Sequence, residues 1–169
     1  NWIQCFRGEA TLTWLTGMTL LILVYWMGGA MVNTGPDSIS TGQAIVIVIG
    51  YMVFAWFAYD FLALRVKNDA LLGVVFFCLS LILVSAFAAA LAPRAAFIHV
   101  GATFGTIMTL NVWVRILPAQ RQMVADILAG RPVDPAPTEE AKRRSKHNTY
   151  SVIPVIFIMI SNHFPTAAY

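Results

Sequence analysis

The sequence predicts an all-α integral membrane protein, a bundle of about five transmembrane helices. Hydrophobic residues make up 59% of the 169-residue chain and charged residues only 11%, whereas a soluble domain is nearer half apolar and a quarter charged. The apolar residues also come in blocks close to the roughly 20 residues that a helix needs to cross a hydrocarbon core of about 30 Å. The net charge of +3 follows this membrane pattern and does not indicate a nucleic-acid partner.

Five apolar stretches are predicted to cross the membrane as one transmembrane domain over 1–169. Turn-forming connectors separate them: Gly35, Pro36 and Asp37 follow the first stretch, and a proline with an arginine is expected to break the chain before the fourth. The predicted spans cover residues 11–32, 43–64, 70–91, 97–117 and 150–164.

A polar loop over 118–148 joins the fourth and fifth spans. Pro118 suits the first turn of a helix, and an amphipathic helix over 118–129 is predicted to lie on the membrane surface. Its apolar residues share one helical face: Met123, Val124, Ile127 and Leu128. A proline-rich linker follows, and Thr138 is predicted to cap a further helix.

The distribution of Lys and Arg predicts the orientation of the chain. If the spans alternate in direction, all of the 11 Lys and Arg residues except Arg94 lie on one side, and such a bias marks the cytoplasmic side. The chain start and the 118–148 loop are therefore predicted to be cytoplasmic, with the chain end on the outer side. The basic run over 142–146 is interpreted as a cytoplasmic anchor that binds anionic lipid headgroups.

Cysteine chemistry is not indicated by this sequence. Cys5 and Cys78 lie far apart, and no CxxC, CxxCH or zinc-type spacing occurs. The chain therefore offers no thiolate metal site and no covalent haem attachment of its own.

Two histidines inside apolar spans are the first candidates for chemistry, since ionisable residues in membrane spans usually have a function. His99 lies near the outer end of the fourth span and His163 near the outer end of the fifth. At about 1.5 Å per helical residue both reach a similar depth, and we expect the two rings to face one interior pocket. Such a pair would suit a shared haem or metal, or a proton or substrate site. The alternative is two interfacial histidines bonded to backbone or water.

Other polar residues have plainer interpretations. His147, in the basic run, is predicted to be solvated or lipid-facing. Asp60 is expected to pair with Arg65, Lys67 or Arg115, the alternative being a proton-relay role. A GxxxG motif formed by glycines 101 and 105 predicts a face on which a neighbouring helix packs closely.

Two long motifs carry a resemblance to a known family. They read HVGATFGTIMTLNVWVRILPAQR and RRSKHNTYSVIPVIFIMISNHFP, joined by a DP-containing linker. The stretch from Arg94 to Pro165 resembles the membrane domain of bacterial cytochrome-c-coupled urate oxidase (urate hydroxylase), with a looser match from Glu9 to Ala92. The resemblance implies an oxidoreductase of the bacterial inner membrane. Such an enzyme oxidises urate to 5-hydroxyisourate and passes electrons to a c-type cytochrome on the periplasmic side.

The resemblance also indicates site residues and partners. His99, His163 and Asn162 are predicted to be catalytic, with His99 and His163 also binding a cofactor such as haem. The motif positions that it singles out are His99, Asn111, His147, Asn148, Asn162 and His163.

The family's early histidine-bearing helix and its CxxCH are missing from this sequence. We therefore expect either part of a longer enzyme or a non-catalytic accessory or structural subunit of a larger respiratory or photosynthetic membrane complex. In both cases the chain is expected to pack against other membrane subunits or further helices in the bilayer.

Overall fold

The computed structural model describes residues 2–33, 35, 38–161 and 163–164, with only the backbone for residues 2–6. All regular structure in this part of the chain is helical, which confirms that the fold is all-α. The α-helices are α1 (Trp2–Leu21), α2 (Thr41–Arg65), α3 (Asp69–Ala90), α4 (Pro93–Leu110), α5 (Leu117–Leu128) and α6 (Pro135–Ser161). Two π-helical stretches, Ile22–Trp26 and Asn111–Ile116, follow α1 and α4.

Helices long and apolar enough to cross a membrane occur in four places among the described residues. They are Arg7–Trp26, Thr41–Arg65, Asp69–Ala90 and Pro93–Leu128. α6 is not one of them, because its first half is charged. The fifth crossing, predicted over about 150–164, therefore stays a prediction, and α6 itself ends at Ser161.

The first helical run ends earlier than the sequence predicted, at Trp26 rather than at residue 32. Gly28 packs so tightly on the preceding turn that an added Cβ would collide with the Val24 carbonyl oxygen. Gly29 has a φ of 73°, a left-handed conformation that glycine adopts without steric cost. This glycine pair stops the helix in the middle of an apolar stretch.

The predicted fourth span and surface helix form one helical run, Pro93–Leu128. The predicted break before this run is confirmed: α3 ends at Ala90 and α4 begins at Pro93, which occupies the first turn of α4, where no N–H is needed. The Asn111–Ile116 π-helical stretch lies directly before Pro118, and a wider turn at this place accommodates the proline without ending the helix. The helix predicted over 118–129 is therefore present as α5 (Leu117–Leu128), but it continues the helical run of α4 instead of being separate from it. Its place on the membrane surface stays a prediction.

The sixth helix also begins earlier than predicted. Asp134, not Thr138, caps it: the Ala136 N–H donates to Asp134 Oδ1 at 3.0 Å. From Pro135 the helix then continues through Pro154 to Ser161. The basic run and the apolar stretch after residue 150 therefore belong to one helix. Within it, side chains three, four and seven positions apart lie on the same face.

Helix α4 with its π-helical continuation lies at the centre of the bundle and contacts α1, α2, α3 and α6. Gly101 explains the close approach of α6: a Cβ added there would lie 2.9 Å from Ile158 Cγ2. Gly105 faces open space. The GxxxG prediction is thus confirmed at its first glycine and wrong at its second.

Candidate functional site

Polar side chains meet at one end of the bundle, where α2 ends, α3 begins and α6 passes the Asn111–Ile116 stretch. We call this group the polar cluster. π-Helical turns are rare and often occur at functional sites, and this one supplies two members. The polar cluster consists of Tyr59, Asp60, Asp69, Asn111, Arg115, Glu140, Arg143, Arg144, His147 and Asn148.

A continuous line of hydrogen bonds runs through the cluster. Asn111 Nδ2 donates to the Tyr59 hydroxyl oxygen at 3.0 Å, and that hydroxyl lies 2.9 Å from His147 Nδ1. His147 Nε2 lies 3.2 Å from Asp69 Oδ1. Because a carboxylate only accepts, Nε2 carries the histidine proton and Nδ1 accepts from Tyr59. The donor and the acceptor of each hydrogen bond in the line are therefore defined.

The orientation of the Asn111 amide is fixed by its neighbours. Arg144 Nη1, which can only donate, lies 3.5 Å from Asn111 Oδ1. The amide nitrogen consequently faces Tyr59 and also donates to Asn148 Oδ1 at 2.8 Å. Asn148 in turn donates to the Met108 carbonyl at 2.9 Å, so the two asparagines join α6 to α4.

An ion network surrounds this line. Arg144 is completely buried, and donates from Nε to Glu140 Oε1 at 2.7 Å and from Nη2 to Asp60 Oδ1 at 2.8 Å. Asp60 also accepts from Arg115 Nε at 2.9 Å, which confirms Arg115 among its three predicted partners. Burial alone would raise the pKa of the Glu140 carboxyl, but hydrogen bonds from Arg144 and Arg143 hold it below its ordinary value.

Two arginines of the basic run point inwards, which corrects the lipid-anchor interpretation. Arg143 donates to the Val66 carbonyl at 2.9 Å and to the Ala63 carbonyl. It thereby satisfies free carbonyls at the C-terminal end of α2. Arg144 forms the network described above, and of the run only its lysines and Ser145 remain on the exposed face.

His147 was predicted to be solvated or lipid-facing, and that prediction was wrong. Its side chain is only 10% exposed, because it lies on the same face of α6 as Arg144 and this face packs against α2 and α3. Burial lowers the pKa of the imidazole below its ordinary value, while the hydrogen bond that Nε2 donates to Asp69 works in the opposite direction. His147 is therefore a neutral base at physiological pH.

A groove of about 350 Å³ lies between α3, α4 and α6. Tyr59, Asp69 and His147 line its polar end. Much of the remaining lining is aromatic and apolar, including Phe76 and Phe104. The hydrogen-bonded line thus opens on a space that would hold a flat ring.

His99 lies towards the opposite end of the bundle and is completely buried. Trp26 Nε1 donates to its Nε2 at 3.0 Å, and its Nδ1 donates to the Ala95 carbonyl at 2.7 Å. The Tyr25 ring lies edge-on, with centroids 5.7 Å apart. Because both ring nitrogens are engaged, His99 does not fit the role of a haem or metal ligand.

The second predicted histidine lies apart from the first. His163 is exposed in the turn after α6, where its N–H donates to the Ile160 carbonyl at 2.9 Å. Among the described residues, no hydrogen bond or ring contact joins His163 to His99. Asn162, the third predicted catalytic residue, lies outside the described residues. The same described part of the chain contains no group of three His, Cys, Asp or Glu residues that could hold a metal ion.

Comparison with known protein families agrees with the resemblance carried by the two motifs. The family model described as urate oxidase N-terminal matches residues 1–169, the whole chain. The chain belongs to the urate oxidase N-terminal family. Searches of curated proteins and of solved structures found no match.

The motifs of this urate oxidase N-terminal chain contribute unequally to the polar cluster. The structure brings together Asn111, His147 and Asn148, three of the motif positions named from the sequence. Sequence reasoning missed Tyr59 and Asp69 as site residues. The available signal was the Tyr59-Asp60 pair, two polar residues inside an otherwise apolar span.

Proposed function

We propose that this chain is the membrane domain of an oxidoreductase that oxidises urate to 5-hydroxyisourate. The observation that carries the proposal is the match of the urate oxidase N-terminal family over residues 1–169. In the reaction, urate and water give 5-hydroxyisourate, two protons and two electrons. The site must therefore hold a flat ring, accept protons and release electrons to a separate acceptor.

The polar cluster supports this proposal as the place of the chemistry. It combines a neutral base, His147, with a buried hydrogen-bonded line that can carry protons away from a substrate in the neighbouring groove. The neighbouring groove has an aromatic lining against which a flat ring would pack. In our proposal the electrons pass to a c-type cytochrome outside this chain.

Turnover with cytochrome tests the proposal. Membranes containing the protein at its natural length are given urate and oxidised c-type cytochrome, and urate loss and cytochrome reduction are recorded together. We expect two cytochromes to be reduced for each urate, since each accepts one electron. No urate-dependent reduction by the wild-type protein would refute the proposal.

Two neighbouring residues of α6 provide a matched pair of variants for the same assay. Asn148→Ala removes an inward amide that bonds Asn111 and the Met108 carbonyl. Thr149→Ala alters an exposed hydroxyl that bonds only its own helix, at the Ser145 carbonyl. We expect the first variant to lose urate turnover and the second to keep it.

We also propose that the chain spans the bacterial inner membrane several times, with its start and the 129–134 connector in the cytoplasm and its end in the periplasm. The distribution of Lys and Arg, with all except Arg94 on one side of the predicted spans, supports this orientation. Cysteines replace Pro132 or Ala30 in a background carrying Cys5→Ser and Cys78→Ser. An impermeant maleimide should label the first only from the cytoplasmic side and the second only from the periplasmic side. The reverse pattern would contradict the orientation.

Other membrane subunits or further helices are proposed as partners in the bilayer. On α5, Ile127 and Leu128 are 59% and 82% exposed, and apolar residues at this level of exposure suit an interface or a lipid surface. Native mass measurement in mild detergent should give a particle larger than the single chain. A monodisperse species of 18.6 kDa would contradict this.

A non-catalytic role as a subunit of a larger membrane complex is the second candidate function, and the exposed apolar face of α5 is what favours it. It predicts the same association without urate turnover.

A further inference from the structure

Three side chains connect the groove to the surface in order of increasing exposure. The Tyr59 residue is 5% exposed, and the side chains of His147 and Asp69 are 10% and 25% exposed. Lys146, whose Nζ lies 3.0 Å from Asp69 Oδ2, is 50% exposed. The hydrogen bonds described above link these groups without a gap. The line therefore runs from a buried phenol in the groove to charged groups in contact with solvent.

Two neighbours of Tyr59 oppose the cost of placing a negative charge on this buried ring, which burial alone disfavours. Asn111 directs an N–H at the phenol oxygen, and the Arg144 guanidinium carbon lies 5.0 Å from the ring centroid. A hydrogen-bond donor and a positive charge both stabilise a phenolate. A proton that leaves Tyr59 has one acceptor in place, Nδ1 of His147.

Asp69 has the matching effect on His147. Its carboxylate accepts from Nε2 and faces the charge that appears when Nδ1 takes up a proton. This is how a carboxylate orients a histidine base and stabilises its protonated form.

The groups that face His147 come from each neighbouring element. α2 supplies Tyr59 and α3 supplies Asp69. From its own helix come Arg143, Arg144 and Lys146, and the two arginines act against protonation of the imidazole. Carboxylates oppose these arginines, because Asp60 and Glu140 pair with them. Burial has the largest effect on His147 and keeps the imidazole neutral at rest, while the Asp69 carboxylate stabilises the imidazolium that forms during the transfer.

We propose that Tyr59, His147 and Asp69 form the proton relay of the oxidation, with the substrate ring at the polar end of the groove. This inference rests on the proposed function. In the step, the Tyr59 oxygen takes a proton from the substrate or its attacking water while the Tyr59 proton moves to His147 Nδ1. His147 then releases its Nε2 proton past Asp69 to solvent. The release leaves the proton on Nδ1, so the imidazole must return to the Nε2–H tautomer, by a ring flip or by proton exchange with solvent, before it accepts the second proton. The two electrons leave separately to the c-type cytochrome.

Tyr59→Phe tests the relay with almost no change of shape. Losing a positioned acid or base typically lowers a rate by 10²–10⁴-fold, so we expect kcat for urate to fall by about 10² or more with KM little changed. Tyr51→Phe is the matched control, because Tyr51 lies on the same helix and packs edge-on against Phe87 away from the groove. That variant should turn over like the wild type.

A second variant distinguishes a relay from a purely structural role. His147→Ala should lose turnover, and added imidazole should restore part of it, since a small base can occupy the vacated space. A merely structural histidine would not respond to imidazole in this way. Asp69→Asn should keep urate binding while it lowers the rate.

The outcomes separate the two proposals. Absence of urate turnover in the wild type would overturn the proposed function itself. Full turnover by Tyr59→Phe in an active wild-type background would overturn the relay alone. Tyr59→Phe could lose activity because it does not fold, which the loss of its thermal unfolding transition would reveal. In that case the test is His147→Ala with added imidazole, and failure of imidazole to restore turnover would overturn the relay.

Discussion

Arg144 of α6 and Asp60 of α2 form a buried ion pair, with Nη2 and Oδ1 2.8 Å apart. The arginine side chain has no exposed surface, and the same carboxylate also binds Arg115. One carboxylate thus connects α2, α6 and the π-helical stretch after α4. This pair determines how the polar end of the bundle is assembled.

Replacing Arg144 should therefore destabilise the fold strongly. Arg144→Met leaves Asp60 with one partner fewer and Glu140 without its shortest hydrogen bond, and breaking a buried pair in this way costs about 3–5 kcal/mol. Lys142→Met on the exposed side of the same helix should change the free energy of unfolding by less than about 0.5 kcal/mol. Unfolding in detergent measures both, and equal effects would contradict the assigned role.

The two glycines of the GxxxG motif should respond in opposite directions. Alanine is favoured over glycine in a helix by about 1 kcal/mol, so Gly105→Ala, with open space around its Cβ, should stabilise. Gly101→Ala meets Ile158 at 2.9 Å and should destabilise by about 1–3 kcal/mol, as overpacking does. Thermal unfolding of the two variants compares them directly. Stabilisation by both would show that α6 does not approach α4 so closely.

The Trp26 indole should stabilise the opposite end of the bundle. Trp26→Phe keeps an aromatic ring but leaves Nε2 of the buried His99 without its donor, and an unsatisfied buried acceptor costs about 1–3 kcal/mol. Trp113→Phe changes a residue that is 40% exposed and should have little effect. If both variants unfold alike, the Trp26–His99 hydrogen bond contributes nothing to stability.

Urate turnover should lose activity in acid according to the state of His147. The imidazole accepts a proton only when neutral, and burial places its pKa below the ordinary value, so the acid limb should have its midpoint below about 6.5. The folded protein binds this proton less readily than the unfolded chain. The free energy of unfolding should therefore decrease as the pH drops from about 6.5, the pKa of histidine in the unfolded chain, towards the lower pKa of His147 in the folded protein. An acid limb of the turnover profile with its midpoint above about 6.5 would contradict this assignment. So would an unchanged acid limb in the residual turnover of His147→Gln.

The hydropathy of the chain was sufficient to predict an all-helical fold and the approximate place of each apolar helix. Helix continuity was harder to predict, because the helical run tolerates Pro118 and Pro135 begins α6 earlier than Thr138 would. The burial of His147 and Arg144 depends on that continuity, since it turns one face of α6 towards α2 and α3. Without knowledge of this continuous helix, a basic run in the sequence indicates a solvated loop.

Sequence spacing also gave only part of the site. Depth along a helix placed His99 and His163 at a similar level, but depth does not say which way a ring points or what fills its hydrogen bonds. Trp26, far away in sequence, satisfies His99. Asn111, His147 and Asn148 come together because α4 and α6 pack closely at Gly101, a tertiary contact that no local pattern contains.

A comparison of His147→Ala with His163→Ala tests most directly where the chemistry lies. Both variants remove one imidazole, the first from the polar cluster and the second from the exposed turn after α6. The measurement is urate-dependent reduction of c-type cytochrome in membranes with equal amounts of each protein. The structure predicts a loss of about 10²-fold or more for His147→Ala and a much smaller effect for His163→Ala. Loss of turnover in His163→Ala, with His147→Ala still active, would contradict it and return the site to the outer histidines.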